Sequence, residues 1–298
     1  MRTGLFTLNT KSTGQWIIDI KQVYTGIQTM KKMLNILLIV GGGYIAIVLL
    51  LYLMQSNMIF IPDRHLVENP SAFGMQWEDA WMETSDGKEI HGWYIPAENS
   101  EQIVLLSHGN AGNISHRLTF IEMLHKNEIS AFIYDYRGYG KSEGSPSEQG
   151  LYRDIRAAWE YLVGEKAYRE SDIYLLGRSL GGPVSSHLAQ EVNPGGLILE
   201  STFTSARDVA SDIYPFVPSS LVRFKFATIE HLENIDVPVL IMHSRGDHII
   251  NYRHGERLFD GASEPREFIE LQGGHNDNFM VSEEIYTRAL LRFLGREN

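Results

Sequence analysis

The 298-residue sequence predicts an α/β fold with one transmembrane helix ahead of it. The fold is a mostly parallel central sheet with helices on both faces, an N-terminal antiparallel hairpin and a small lid. Three observations predict it. No residue from Met33 to Pro62 is charged, and Leu34–Leu53 is almost wholly apolar. Beyond that run, short apolar stretches bounded by turn residues recur along the chain. Segments of helical periodicity lie between most of them, and strand–helix alternation builds a parallel sheet covered on both faces.

The first element is the anchor, placed at residues 33–54 behind a tail at 1–32. Twenty helical residues span about 30 Å, the thickness of a bilayer's hydrocarbon core. Gly41, Gly42 and Gly43 would weaken a soluble helix but are common in membrane helices. Inside the apolar run they make an improbable dinucleotide loop. Lys31 and Lys32 precede the run, whereas Asp63 and Arg64 balance each other after it. The positive-inside rule then puts the N-terminus in the cytoplasm and the large domain on the far side, single-pass. A cleaved signal peptide would have a shorter apolar core and a small-residue cleavage site, and the run ends without one. A buried soluble helix would show a polar stripe, and this run has none.

The main body is assigned to 65–298. Met75–Thr84 and Ile90–Ile95 read as a hairpin around Ser85-Asp86-Gly87-Lys88. Strands follow at Ile103–Ser107, Ala131–Tyr134, Ile173–Leu176, Leu197–Leu199, Val239–His243 and Phe268–Leu271. Helices are expected at His116–Lys126, Gln149–Val163 and Glu283–Leu294. Thr202–Asp236 has room for short helices and not for a large cap. Tyr214 and Phe216, in that segment, are candidates either for lining a substrate pocket or for covering the core.

Composition sets outer limits. Hydrophobic residues make up 43% and charged residues 21%, enough to bury a large core. The formal net charge is −11, and the basic excess is confined to residues 1–33, where Arg2, Lys11, Lys21, Lys31 and Lys32 face Asp19 alone. An acidic body argues against nucleic acid as a partner. The absence of cysteine excludes disulfides, a Cys nucleophile, thiolate metal sites and a lipidated Cys. No spacing such as H-E-x-x-H suggests a metal, and no motif requires a cofactor.

In parallel sheets, reactive groups sit where strands end and loops begin. Ile173–Leu176 runs into Gly177-Arg178-Ser179-Leu180-Gly181-Gly182 and then a helical stretch to Asn193. This is G-x-S-x-G in the strand–turn–helix setting that the motif requires. A serine on so sharp a turn needs neighbours without side chains, and Gly177 and Gly181 supply them. A helix beginning at Ser179 would point its positive end at charge developing in acyl transfer. The hydroxyl needs a base. His275, in Gly273-Gly274-His275-Asn276 after the last strand, belongs at the same sheet edge. His108 is expected to shape its own loop, and the remaining histidines fall on strands, helices, connections or the loop after the strand Val239–His243. Asp247, after the strand Val239–His243, is the expected partner of the imidazole. Glu200, at the end of the preceding strand, is the rival acid, and Asp277 lies too near His275 along one loop. The oxyanion hole is expected from the backbone N–H groups of Leu180 and Asn110, the latter in His108-Gly109-Asn110-Ala111-Gly112-Asn113. Asn113-Ile114-Ser115 is also a glycosylation triplet, expected to be unmodified beside a cleft.

Together, Ser107-His108-Gly109-Asn110-Ala111-Gly112, Tyr134-Asp135-Tyr136-Arg137-Gly138-Tyr139-Gly140, Gly177-Arg178-Ser179-Leu180-Gly181-Gly182, Ser244-Arg245-Gly246-Asp247 and Gly273-Gly274-His275 resemble the α/β-hydrolase superfamily. More narrowly, they resemble membrane-anchored serine hydrolases of the ABHD type and their bacterial counterparts. The resemblance spans about residues 55–295. It implies the α/β-hydrolase fold, a Ser179–Asp247–His275 triad, and hydrolysis of an ester, thioester or amide. Some members remove fatty acyl groups from proteins, so the substrate class is small-molecule or acyl. A serine peptidase or amidase of the same fold is the alternative. A catalytically silent membrane scaffold would have no need of all three triad groups.

Overall fold

A computed structural model describes residues 20–98 and 100–296, and divides the chain into two units, Met1–Leu53 and Met54–Asn298. In the first, helix α1 runs from Ile20 to Ile59 and so ends within the second unit. It is the one helix among the described residues long and apolar enough to cross a membrane, with a mean hydropathy of 2.6 in its most apolar stretch. The expected anchor at 33–54 is therefore embedded in a longer helix. The preceding segment, Ile20–Lys32, lacks proline and carries Lys, Gln and Met, which suit a helix, among β-branched residues. Thr25 and Thr29 bond back to the carbonyls of Lys21 and Thr25, as threonines do within a helix. Residues 20–32 of the expected tail are thus helical, and residues 1–19 lie outside the described residues. The helix stops ahead of Pro62, which pushes Ile61 into an extended conformation.

The boundary expected at residue 65 also moves, since the body begins near Met54. Phe60 is buried, and its ring meets Phe224 and Phe226 edge-on at 5.5 and 6.2 Å. A short strand β1 (Ile61–Pro62) then pairs in parallel with β5 (Ala111–Gly112), in the loop after β4 (Ile103–Ser107). In the sequence only the first charged residues after the apolar run, Asp63 and Arg64, mark a boundary here, and nothing local signals this long-range pairing.

The main sheet has eight strands in the order β10-β9-β8-β7-β4-β6-β3-β2. The hairpin β2 (Glu78–Glu83) and β3 (Glu89–Ile95) is antiparallel, and β3 joins β6 (Ser130–Tyr134) in antiparallel register. From β6 onward the pairing is parallel through β4, β7 (Ile173–Arg178), β8 (Gly196–Glu200), β9 (Val239–Ser244) and β10 (Arg266–Leu271). All six strands expected in the body beyond the hairpin are present. Most lack period-two alternation because both faces are covered. Leu105, Phe132, Leu175, Leu199 and Ile241 pack into the core on one side, and Val104, Leu106, Ile133, Leu176, Ile198 and Leu240 into that on the other.

Helices α2 (Leu118–Lys126), α3 (Glu148–Gly164), α4 (Gly181–Ala189), α7 (Arg253–Gly261) and α9 (Glu283–Phe293) cover the sheet. The lid segment contains only α5 (Ala206–Ile213), one short 3-10 turn and α6 (Thr228–Leu232), while α8 (Asn278–Val281) is a single turn. Arg137 ties the hairpin to α3. Its Nε donates to Asp154 at 2.9 Å and its Nη1 to Asp86 in the hairpin turn at 2.8 Å.

Candidate active site

The connections leaving β4, β7, β9 and β10 at their carboxyl ends converge. Ser179 sits between β7 and α4 with φ = 53°, in the left-handed region that a non-glycine residue enters only when its surroundings impose it. The surroundings do so. Ser179 N–H donates to Glu200 O at 3.0 Å, and Ser179 O accepts from Gly182 N–H at 3.0 Å and from the Thr202 hydroxyl at 2.6 Å. A side chain at Gly177 would collide with Gly181 O, and one at Gly181 with the Ser107 carbonyl. This is the steric demand that the two glycines were expected to answer. The left-handed serine also delays the helix. α4 starts at Gly181 with Leu180 as its cap, not at Ser179, and ends at Ala189 rather than Asn193.

The Ser179 hydroxyl lies 3.1 Å from His275 Nε2, and His275 Nδ1 lies 2.7 Å from Asp247 Oδ2. If Nδ1–H donates to the carboxylate, Nε2 is left to accept from the serine. Asp247 Oδ1 accepts from the N–H groups of Ile249 and Ile250 at 2.9 and 2.8 Å. Burial pushes the Asp247 carboxyl upward, but bonds from His243 and His275, the imidazole's charge and the Ile250 N–H prevail and hold it well below the usual carboxylate range. Of the three candidate acids, the structure sets Asp247 against the imidazole. Fully buried Glu200 instead pairs with Arg178 at 3.0 Å and accepts from Tyr286 OH at 3.0 Å. Asp277 accepts from Gly274 N–H at 2.6 Å and so braces the loop that carries His275.

The loop after β4 lies against the serine. A β-carbon added to Gly109 would come 3.6 Å from that of Ser179. Neither Asn110 N–H nor Leu180 N–H has a hydrogen-bond partner within the described residues. The loop's carbonyls, by contrast, are held. Tyr136 OH donates to His108 O at 2.7 Å, and Asn110 O accepts from Tyr139 OH at 2.8 Å and from Ile61 N–H at 3.2 Å. Asp135 accepts from Ile114 N–H at 2.9 Å, and its burial pushes its pKa up to about 8. Burial lowers that of His108 to about 3, in keeping with a histidine that shapes the loop; its Nδ1 meets Gly109 O at 2.7 Å. Asn113 is buried, and its amide donates to Asp63 O and His65 O, leaving nothing for a glycan.

Several of these residues escaped the reading from sequence. Tyr136 and Tyr139 belong to a motif already noted, but their role depends on contacts 28 and 29 residues away. Arg178 occupies the variable position of G-x-S-x-G, where the motif gives no role. Tyr214 and Phe216, the candidate pocket residues, lie at the end of α5, paired edge-to-face at 6.2 Å with Phe216 half exposed.

A parallel sheet with a strained serine between strand and helix, and with a histidine and an aspartate on later loops, defines an α/β-hydrolase, and the chain belongs to that superfamily. Residues 98–229 match the family described as serine aminopeptidase, S33. The chain is 35% identical over 252 residues to the Mycobacterium tuberculosis protein Rv2307c, covering 83% of this chain and 90% of that one. It is 33% identical to the α/β hydrolase domain-containing protein WAV2 of Arabidopsis thaliana, over 86% and 92% of the two chains. Among solved structures, an esterase of Pyrococcus furiosus shares the fold with a TM-score of 0.67 at 19% identity, over 80% of this chain and 97% of that one. The protein is a hydrolase.

Proposed function

We propose that the protein is a membrane-anchored serine hydrolase cleaving carboxylic esters or thioesters, with fatty-acyl compounds among its candidate substrates. The reading is carried by the hydrogen-bonded series Ser179–His275–Asp247 at 3.1 and 2.7 Å. His275 takes the proton as the Ser179 hydroxyl attacks the carbonyl carbon, and Asp247 orients the ring and stabilises the imidazolium. The N–H groups of Leu180 and Asn110 receive the oxyanion; one such donor is worth about 3–4 kcal/mol of barrier in comparable sites. Collapse of the tetrahedral species breaks the bond to the leaving group, which takes the proton from His275. Water activated by the same imidazole then hydrolyses the acyl-enzyme.

A peptidase or amidase is the second reading, favoured by the aminopeptidase family match. A panel of p-nitrophenyl esters from acetate to palmitate, run beside an aminopeptidase substrate with Ser179→Ala as control, separates the two. Turnover of the esters and not of the aminopeptidase substrate supports the first. Peptide turnover at least as fast as that of every ester sinks it. If the esters are turned over, Tyr214 and Phe216 are the first positions to vary for chain-length preference.

In the same reading, α1 crosses the bilayer once with the N-terminus cytoplasmic, on the strength of Lys31 and Lys32 before the apolar run. Protease added outside intact cells or spheroplasts should then digest the body. Full protection until the membrane is permeabilised would reverse the orientation.

A further inference from the structure

The loop that carries His275 is braced at Gly274 by Asp277 and at Gly273 by the Ser244 hydroxyl, but neither bond reaches the carbonyl of the histidine itself. Gly273, at φ = 88°, and Gly274 precede the histidine, and glycines leave a backbone free to swing. Asp247 fixes the imidazole ring, and one further bond fixes the peptide from which the ring hangs. That attachment comes from the residue immediately before the nucleophile. Arg178 is buried, and its Nη2 donates to His275 O at 2.8 Å. Its Nε faces Glu200 Oε1 at 3.0 Å, and its guanidinium lies 5.2 Å from the centre of the Phe279 ring, in α8. Glu200 is gripped in turn by Tyr286 in α9, while its own carbonyl holds Ser179 N–H. One network therefore reaches the backbone of the nucleophile and the backbone of the base.

We propose that Arg178 is a positioning residue that ties the His275 loop to the nucleophile strand and so sets the distance at which imidazole meets hydroxyl. The proposal rests on the serine-hydrolase reading of Ser179 and His275. Two considerations support a positional role over a purely stabilising one. A buried ion pair contributes little net stability compared with apolar residues of the same size, because two charges must be stripped of water. And the task suits a guanidinium, whose planar fork can donate to the His275 carbonyl while its charge faces the buried Glu200 carboxylate; a lysine's single ammonium cannot hold that geometry.

The test compares three variants with the parent in full-length protein, reading kcat and KM on p-nitrophenyl butyrate, the rate of fluorophosphonate labelling, and Tm. Arg178→Met alone would strand the Glu200 carboxylate, so it is paired with Glu200→Gln, which keeps an acceptor for Tyr286. In this double variant kcat and labelling rate should fall together by about 30- to 100-fold, the scale of a misplacement near 1 Å, with KM within about threefold and Tm within a few degrees. Arg178→Lys should lose roughly tenfold in kcat, since it keeps a charge against Glu200 but not the fork. Glu200→Gln alone should lose at most about fivefold, because Arg178 can still reach His275 O. A double variant or Arg178→Lys with parental kcat overturns the proposal, as does a Glu200→Gln loss equal to that of the double variant. Labelling that survives Ser179→Ala would instead overturn the underlying reading.

Discussion

Ser179→Ala is expected to abolish fluorophosphonate labelling and to lower kcat for p-nitrophenyl butyrate on the order of 10⁵-fold, with the fold intact. The magnitude follows from the chemistry. Without the hydroxyl no acyl-enzyme can form, and the residual rate is what an oxyanion hole and bound substrate achieve with water alone. Stability should hardly move, since only the Oγ atom and its bond to His275 are lost, and Tm is expected within about 2 °C of the parent. Glycine at the same position makes the test sharper. Residue 179 sits at φ = 53°, so Ser179→Gly relieves backbone strain that alanine retains. The glycine variant should be equally inactive but more stable than the alanine variant by about 1 kcal/mol, measured by thermal or denaturant unfolding. A gain of that size would show that the fold holds residue 179 in place at the expense of local backbone strain. Labelling that persists in the alanine variant would move the nucleophile elsewhere.

The features legible in the sequence were those with a local signature. Ser179 stands between two glycines at a strand end, and Gly177 and Gly181 are explained by atoms a few residues away or in the adjacent strand. His275 and Asp247 could be placed because each follows an apolar run that had to be a parallel strand, and the ends of such strands share an edge. What stayed hidden depends on contacts without local signature. Nothing near Arg178 announces a bond to a carbonyl 97 residues on, or near Ile61 a pairing with the loop at Asn110. The start of α1 was hidden for a different reason. Lys, Gln, Thr and Met in residues 20–32 suit a polar tail as well as a helix, and hydropathy marks only the apolar stretch. The helix after Ser179 was placed two residues early because backbone handedness, not residue type, decides where it can begin.

Asp247→Asn is expected to lower kcat by about 10³- to 10⁴-fold while leaving KM within a few-fold and the protein folded. The substitution keeps an oxygen to accept from Ile249 and Ile250 N–H, so the loop retains its shape. What changes is the partner of the imidazole. A carboxylate 2.7 Å from Nδ1 draws the ring proton to that nitrogen and frees Nε2 to accept from Ser179. An amide that presents its NH₂ to Nδ1 draws the proton to Nε2 instead, where it faces the hydroxyl and cannot take its hydrogen. The loss should therefore appear in kcat and in the labelling rate together. The stability difference carries its own pH signature. In the folded protein the Asp247 carboxyl is held below its ordinary value of 3.8. A lowered folded value means that the carboxylate contributes stability above about pH 4, and that this contribution is lost as pH falls further toward the folded value. The Tm of the parent should thus exceed that of Asp247→Asn at neutral pH, with the gap shrinking below about pH 4. Activity within tenfold of the parent would remove Asp247 from the acid role. A gap that stays constant into the acid range would show that the carboxylate is not held ionised by its neighbours.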